Sequence, residues 1–268
     1  MLKTTINCIL LVLFLMIALN SSSSVDALRT LDMITAHRGS SSTAPENTVS
    51  SVLRAIQDGA GYAEIDVQMS ADGIVVVYHD RTLKKLGNPG AIDELNYSEI
   101  INSDAGQWFD QVYTGERVPT LDEILDIAQN KIKLNIELKM YNPHSTLPEA
   151  VVMLLETHGF VHSSIVTSFD RKAIERIKLK NPNIKTGLIV KSQKQINLTF
   201  LKSDINIISV KSSAVNSKLM QKSVKYNKEV HVWTVNDEKE MNRMLKAGVT
   251  SIITDYPEKL IKLMMLNN

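Results

Sequence analysis

Short apolar runs rich in β-branched residues alternate with amphipathic stretches along most of the chain. The apolar runs predict buried β-strands, and the stretches between them have the spacing of helices. The helix predicted from Leu121 to Ala128 follows Pro119 and has Thr120 and Glu123 at the spacing of a capping box. Eight strands are predicted, at residues 33–37, 62–67, 134–138, 165–169, 186–190, 205–210, 230–235 and 251–254.

Strands that alternate with helices are expected to be parallel, because each parallel crossover needs a dozen or more residues. Eight such units fit an α/β fold of the (β/α)8 type, a TIM barrel, which typically has ~250 residues. The alternation alone also allows an open, doubly wound sheet. No linker rich in Pro, Gly or Ser divides residues 28–268, so we predict one domain over that range.

One further apolar run, at residues 74–79, does not fit the alternation. It follows Met69 after only "SADG", and Asp72-Gly73 favours a tight hairpin turn. We therefore predict an antiparallel β-hairpin extension of the second strand. With a two-residue turn, His79 would lie opposite Glu64 or Asp66 on a shared face. Residues 81–118 then form a small insertion that we expect to pack over one face of the barrel.

Charge and composition narrow the class of partner. The chain has 30 Lys and Arg residues against 29 Asp and Glu residues, and its basic residues form no cluster larger than pairs. A nucleic-acid-binding protein would normally show a basic face or stripe, so we expect no nucleic-acid partner. The expected partner is a small molecule, and the sequence does not predict an oligomeric state.

The amino-terminal segment has the pattern of a secretory signal peptide. Lys3 precedes an apolar run of 11 residues, from position 9 to 19, and a serine tract leads to Ala27. We expect cleavage near Ala27 and secretion of residues 28–268. The run is shorter than the ~20 apolar residues that span a bilayer, so no stable membrane insertion is expected after cleavage. Cys8, the single cysteine, lies inside the predicted signal, so residues 28–268 contain no disulfide.

Acidic residues occupy the ends of two neighbouring predicted strands, where the active sites of TIM barrels lie. Glu64 and Asp66 share one face of the second strand, and Glu137 shares a face of the third with Lys139. Three carboxylates that meet in a barrel mouth would repel one another unless a cation lay among them. Oxygen ligands of this kind suit a divalent Ca²⁺ or Mg²⁺ ion, and the sequence does not choose between the two.

Two histidines are expected at the same mouth. His37 ends the first strand and His79 ends the hairpin, and a pKa of ~6.5 lets one act as base and the other as acid near neutrality. Arg38 and Lys139 could hold an anion beside them, which predicts phosphoryl chemistry. Lys211 also follows a later strand at this end of the barrel.

The motifs "HRG", "PENT", "EIDVQMSADGIVVVYHD", "IELK" and "VWTVN" follow one another in this order. Over essentially all of residues 28–268 the sequence resembles the glycerophosphodiester phosphodiesterase family. The resemblance implies a TIM barrel that hydrolyses glycerophosphodiesters to sn-glycerol 3-phosphate and an alcohol. The site residues that it implies are His37 and His79 for catalysis, with His37 favoured as base and His79 as acid; Glu64, Asp66 and Glu137 for a divalent ion; Arg38 and Lys139 for the phosphate; and Glu46 and Trp233 for the shape of the mouth. Gly39 would let the chain turn sharply after Arg38.

Two other functions are compatible with these residues. One is a related barrel phospholipase of the phospholipase D or phosphatidylinositol phospholipase C type, and the other is a non-catalytic module that binds glycerophosphodiesters. The attack could come from water directly, or from the glycerol hydroxyl through a cyclic phosphate. Outside the predicted site, His144, His158 and His162 are expected at the surface, His231 inside the barrel, and Asp255 in a structural role.

Overall fold

The computed structural model describes residues 31–267, so the predicted signal peptide lies outside the described residues. The barrel is built from parallel strands whose bounds follow the predicted ones closely. They are β1 (Ile34–Ala36), β2 (Tyr62–Met69), β4 (Lys133–Leu138), β5 (Ser164–Ser168), β6 (Lys185–Val190), β7 (Ile207–Lys211), β8 (Glu229–Trp233) and β9 (Ser251–Thr254). The short strand β3 (Val75–Val77) is antiparallel and pairs with β2 alone.

The eight parallel strands form a closed ring. Their order is β1-β9-β8-β7-β6-β5-β4-β2, and β1 pairs with β2 as well as with β9. An open sheet would leave β1 with one neighbour, so the predicted TIM barrel is confirmed and the doubly wound alternative is wrong. Both faces of most strands are buried, which explains why they are continuous apolar runs in the sequence.

Helices connect most of the strands and cover the outside of the barrel. They are α1 (Val49–Asp58), α2 (Tyr97–Ile100), α3 (Leu121–Ala128), α4 (Leu147–Thr157), α5 (Arg171–Lys180), α6 (Gln193–Thr199), α7 (Ser217–Lys225), α8 (Glu238–Ala247) and α9 (Pro257–Asn267). Between residues 31 and 267, none of the helices combines the length and apolar character needed to cross a membrane.

Helix α3 begins as the sequence predicts. Thr120 Oγ1 accepts a hydrogen bond from Glu123 N at 3.1 Å, and Glu123 Oε2 accepts one from Thr120 N at 2.9 Å. Two of the four N–H groups that a helix start leaves unpaired are thereby satisfied. Leu121 and Leu125 on this helix are fully buried in the main core.

The predicted hairpin forms, but its two-residue turn is wrong. The loop runs from Ser70 to Ile74, closed by Ser70 N donating to Ile74 O at 2.9 Å and by Ile74 N donating to Ser70 Oγ at 2.9 Å. The serine hydroxyl takes the place of the next backbone hydrogen bond between the two strands. The loop is therefore longer than a two-residue Asp72-Gly73 turn. Val67 therefore pairs with Val77, and the strand ends before His79.

The hairpin separates two apolar cores. Val75 and Val77 pack into the barrel core, while Val76 points into a smaller cluster on the other side. The second cluster belongs mainly to the insertion and consists of Val76, Tyr78, Leu83, Ile92, Ile100, Ala105 and Val118. The segment 81–118 therefore packs against the barrel through β3 and has a small core of its own.

Truncation of Leu125 to alanine is expected to lower the free energy of unfolding by about 2–5 kcal/mol, because it removes fully buried methyl groups from the main core. The matched control is Leu179→Ala, whose side chain on α5 is 83% exposed, with an expected change within about 0.5 kcal/mol. Urea unfolding monitored by circular dichroism measures both. Equal midpoints for the two variants would contradict the packing of α3 described above.

Candidate active site

A cavity of about 310 Å³ opens at the carboxyl ends of the barrel strands. Eight of the nine predicted site residues line it: His37, Arg38, Glu64, Asp66, His79, Glu137, Lys139 and Trp233. The ninth, Glu46, lies behind Arg38 and does not line the cavity.

Strand pairing brings the three predicted metal ligands together. Glu64 and Asp66 lie two residues apart on β2, and Asp66 is directly paired with Glu137 on β4. One carboxylate oxygen from each lies within 4.8 Å of the others, and all three side chains are buried. This arrangement follows from the period of two along a strand and from the in-register parallel pairing.

The cluster carries more negative charge than its neighbours neutralise. Burial, and then repulsion from Asp66, raises the pKa of Glu64 to about 8, and the same two effects raise the pKa of Glu137. Burial also acts to raise the pKa of Asp66, but the charges of Lys139 and Arg38 outweigh it and lower that pKa. Lys139 Nζ lies 2.6 Å from Glu137 Oε1 and 3.0 Å from Asp66 Oδ1, so one ammonium serves two carboxylates.

These residues fit a hard divalent cation. The donors are carboxylate oxygens alone, which calcium and magnesium prefer over the nitrogen and sulfur ligands that suit zinc. A cation beside Glu64 would offset the burial and the repulsion that raise its pKa. Glu64, Asp66 and Glu137 are therefore the residues that could hold such an ion.

A left-handed turn after β1 connects the first strand to the carboxylates. Arg38 has φ of 54° and Gly39 has φ of 77°. Arg38 N donates to Glu64 Oε2 at 2.8 Å, and Gly39 N donates to Glu64 O at 3.0 Å. These φ values confirm the sharp turn expected at Gly39. A Cβ at this position would lie 2.4 Å from Ser51 Oγ, so only glycine fits.

Asn47 orients one of the three carboxylates, and the sequence analysis missed it. Its Nδ2 donates to Asp66 Oδ2 at 2.8 Å, and its Oδ1 accepts from Asp66 N at 3.0 Å. The residue has φ of 59°, a conformation that asparagine tolerates better than most residues. An asparagine directly after Glu46 in "PENT" was the available signal.

Glu46 contacts Arg38 and the insertion. Its two oxygens accept from Arg38 Nη1 and from Lys85 Nζ, each at 2.7 Å. Burial acts to raise the pKa of Glu46, but the charges of Arg38 and Lys85 outweigh it and lower that pKa. Glu46 thus holds the guanidinium in place and links the barrel mouth to the segment 81–118.

His37 is held by Asp255, which the sequence analysis assigned a structural role. His37 Nδ1 lies 2.6 Å from Asp255 Oδ1, and Asp255 also accepts from Asn236 Nδ2 at 2.5 Å and from Ser41 Oγ at 2.9 Å. Despite burial, the bond to His37 and its charge lower the pKa of Asp255 to about 2. Burial acts to lower the pKa of His37, but Asp255 and Glu64 together raise it. The contact depends on β9 lying beside β1, which follows only from barrel closure.

His79 reaches the cavity from the loop after β3. Gln68 Nε2 donates to Tyr78 O at 2.8 Å and to Asp80 O at 2.7 Å, which fixes the backbone on both sides of the histidine. His79 Nδ1 lies 2.7 Å from Asp80 Oδ1. Burial lowers the pKa of His79. The charge of Asp66 acts to raise this pKa, and the charge of Lys139 lowers it further. The side chain therefore lines the same cavity as Asp66, although by a path different from the predicted hairpin register.

The other histidines mostly follow expectation. His144 and His162 are exposed, and His231 is buried in the barrel. His158 was expected to be solvated, but its side chain is only 14% exposed. It ends α4 beside α3, where Nε2 lies 3.4 Å from an oxygen of both Asp122 and Asp126.

Comparison with known proteins identifies the family of this chain. The profile of the Glycerophosphoryl diester phosphodiesterase family matches residues 37–259. The chain is 32% identical to the putative glycerophosphodiester phosphodiesterase YhdW of Bacillus subtilis, over 85% of this chain and 96% of the relative. It is 33% identical to a glycerophosphodiester phosphodiesterase of Caldanaerobacter subterraneus subsp. tengcongensis, over 86% of this chain and 97% of the relative.

Solved structures share the fold. A phosphodiesterase of Oleispira antarctica, solved in complex with the product sn-glycerol-3-phosphate, superposes with a TM-score of 0.80 at 31% identity, covering 87% of this chain and 96% of its own. A glycerophosphodiester phosphodiesterase of Agrobacterium tumefaciens gives a TM-score of 0.75 at 29% identity, covering 85% and 97%. With the family profile matched over most of its length, the chain belongs to the glycerophosphoryl diester phosphodiesterase family and is a phosphoric diester hydrolase.

Proposed function

We propose that this chain hydrolyses glycerophosphodiesters to sn-glycerol 3-phosphate and an alcohol, with a Ca²⁺ or Mg²⁺ ion held by Glu64, Asp66 and Glu137. The observation that carries the proposal is the meeting of these three buried carboxylates, within 4.8 Å, in a cavity that two imidazoles also line. The product complex of the Oleispira antarctica relative supports the same reaction.

The cavity supplies positive charge for the phosphate. A divalent cation, when bound, acts as a Lewis acid and stabilises the negative charge that develops on the phosphoryl group. Arg38 and Lys139 line the same space and would hold the phosphate oxygens. Glu46 keeps the Arg38 guanidinium in place for this contact.

Each of the two histidines has a carboxylate beside Nδ1 and would transfer a proton through Nε2. Asp255 occupies Nδ1 of His37, and Asp80 occupies Nδ1 of His79, so each ring keeps Nε2 for a proton. Asp255 would stabilise the positive charge that forms on His37 when Nε2 accepts a proton, the role of the aspartate in a Ser-His-Asp triad. We assign His37 as the base and His79 as the acid that protonates the leaving oxygen.

Replacement of His79 by alanine is expected to lower kcat for release of sn-glycerol 3-phosphate from glycerophosphoglycerol by about 10²–10⁴-fold, because a positioned proton donor is lost. The fold should persist, since the side chain is 30% exposed at the mouth. The control is His162→Ala, which changes an exposed histidine before β5. Activity of the His79 variant within a few-fold of wild type, at unchanged circular dichroism, would remove His79 from the mechanism.

Removal of divalent ions by chelation is expected to abolish activity, and Ca²⁺ or Mg²⁺ should restore it. The variant Glu64→Gln should need at least about tenfold more metal for half-maximal activity, because one anionic ligand is lost. The control Asp126→Asn removes an exposed carboxylate outside the cavity and should leave the metal requirement unchanged. Full activity after exhaustive chelation would contradict the metal proposal, and hydrolysis of lysophospholipid vesicles alone would favour a phospholipase.

We also propose that residues 1–27 are a cleaved signal peptide and that the remaining chain is exported. The support is the order of Lys3, the apolar run and the small residues that end at Ala27. Expression of the full chain in a secreting bacterial host, followed by amino-terminal sequencing, is expected to give a mature protein in the medium that begins at Leu28. Retention inside the cell with Met1 intact would contradict this proposal.

A further inference from the structure

The cavity has a second positively charged wall. In the ring order of eight strands, β6 and β7 lie four places from β1 and β2, which puts them on the opposite side of the barrel. Lys191 directly follows β6, and Lys211 is the last residue of β7. Both side chains are exposed and line the cavity. They therefore face the half of the barrel that holds the histidines and the carboxylates.

These two lysines rest on aromatic rings. Lys191 Nζ lies 4.6 Å from the ring centre of Phe169, and Lys211 Nζ lies 5.8 Å from that of Trp233. The two rings also contact each other edge to face, with centres 6.0 Å apart. Cation–π attraction of this kind holds an ammonium group over a ring without neutralising its charge.

Unlike Arg38 and Lys139, these two lysines form no ion pair with a carboxylate of the described residues. Arg38 is bonded to Glu46, and Lys139 to Glu137 and Asp66. Across the described part of the chain, neither Lys191 nor Lys211 has a carboxylate within 4.0 Å of its ammonium nitrogen. The cavity thus has two cations beside the expected position of the scissile phosphate and two unneutralised cations on the opposite wall.

We infer that Lys191 and Lys211 form a second anion subsite, and that the chain acts on glycerophosphodiesters whose alcohol part carries a further anionic group, such as a phosphate. This inference rests on the proposed function, because it takes the scissile phosphate to lie beside Arg38 and Lys139. An anionic alcohol part would pair with both ammonium groups, whereas a cationic one such as choline would be repelled. The aromatic rings of Phe169 and Trp233 would contact the carbon chain between the two anions.

The first test compares kcat/KM for three substrates that differ in the charge of the alcohol part. They are glycerophosphocholine, glycerophosphoglycerol, and glycerophosphoglycerol that bears a phosphate on its second glycerol. The expected order is phosphate-bearing first, neutral second and choline last, and added salt should narrow the differences. A wild-type preference for the neutral or the choline substrate would overturn the inference.

The second test changes the two lysines. Lys191→Gln and Lys211→Gln are each expected to lower the ratio of kcat/KM on the phosphate-bearing substrate to that on glycerophosphoglycerol roughly threefold, and the double variant about tenfold. Lys211→Arg should keep most of the preference, because the charge remains. The control Lys246→Gln, on an exposed lysine in the last turn of α8, should leave the ratio unchanged.

An equal loss on all three substrates in the double variant would show that the lysines hold the scissile phosphate, and would overturn the inference. Calorimetric titration of the His79→Ala variant separates the subsite from turnover. Tighter binding of the phosphate-bearing diester than of glycerophosphoglycerol, lost when both lysines are also changed to glutamine, supports the subsite even if no diester is hydrolysed. Equal affinities for the two diesters would overturn it.

Discussion

Repulsion among three buried carboxylates at one end of the barrel is the interaction to which the rest of the site responds. Asp66 and Glu137 are paired across β2 and β4, and Glu64 lies on the same face. Burial and mutual repulsion raise the pKa of Glu64 to about 8. Barrel closure and apolar packing hold the three groups together despite this repulsion, and a divalent cation bound among them would offset it.

The residues around the cluster orient it through the backbone as well as through side chains. The left-handed turn at Arg38 and Gly39 donates two N–H groups to Glu64, and Asn47 bonds both the carboxylate and the N–H of Asp66. Backbone conformations of this kind are costly for residues other than glycine, and they cluster at functional sites. On the opposite wall, Lys191 and Lys211 instead contact the rings of Phe169 and Trp233.

Local sequence patterns predicted the secondary structure and the faces that side chains share along a strand. The eight strands, the capping box at Thr120 and the shared faces of the acidic residues follow from spacing alone. The predicted barrel already puts β9 beside β1, but the bond between Asp255 and His37 joins side chains that are far apart in the sequence, and no spacing reports it. The hairpin register could not be predicted from the sequence either, because the hydroxyl of Ser70 lengthens the turn. Asn47 contributes through φ and two hydrogen bonds, and no periodic signal reports either.

The central claim is that Glu64, Asp66 and Glu137 together bind a divalent cation beside His37. The most direct test is a crystal structure of the protein soaked in Mn²⁺, with anomalous diffraction data to locate the ion. We predict one strong anomalous peak with oxygen ligands from all three carboxylates. Ordered side chains with no anomalous peak at saturating Mn²⁺ would contradict the account. An ion bound by Asp66 and Glu137 without Glu64 would contradict it as well.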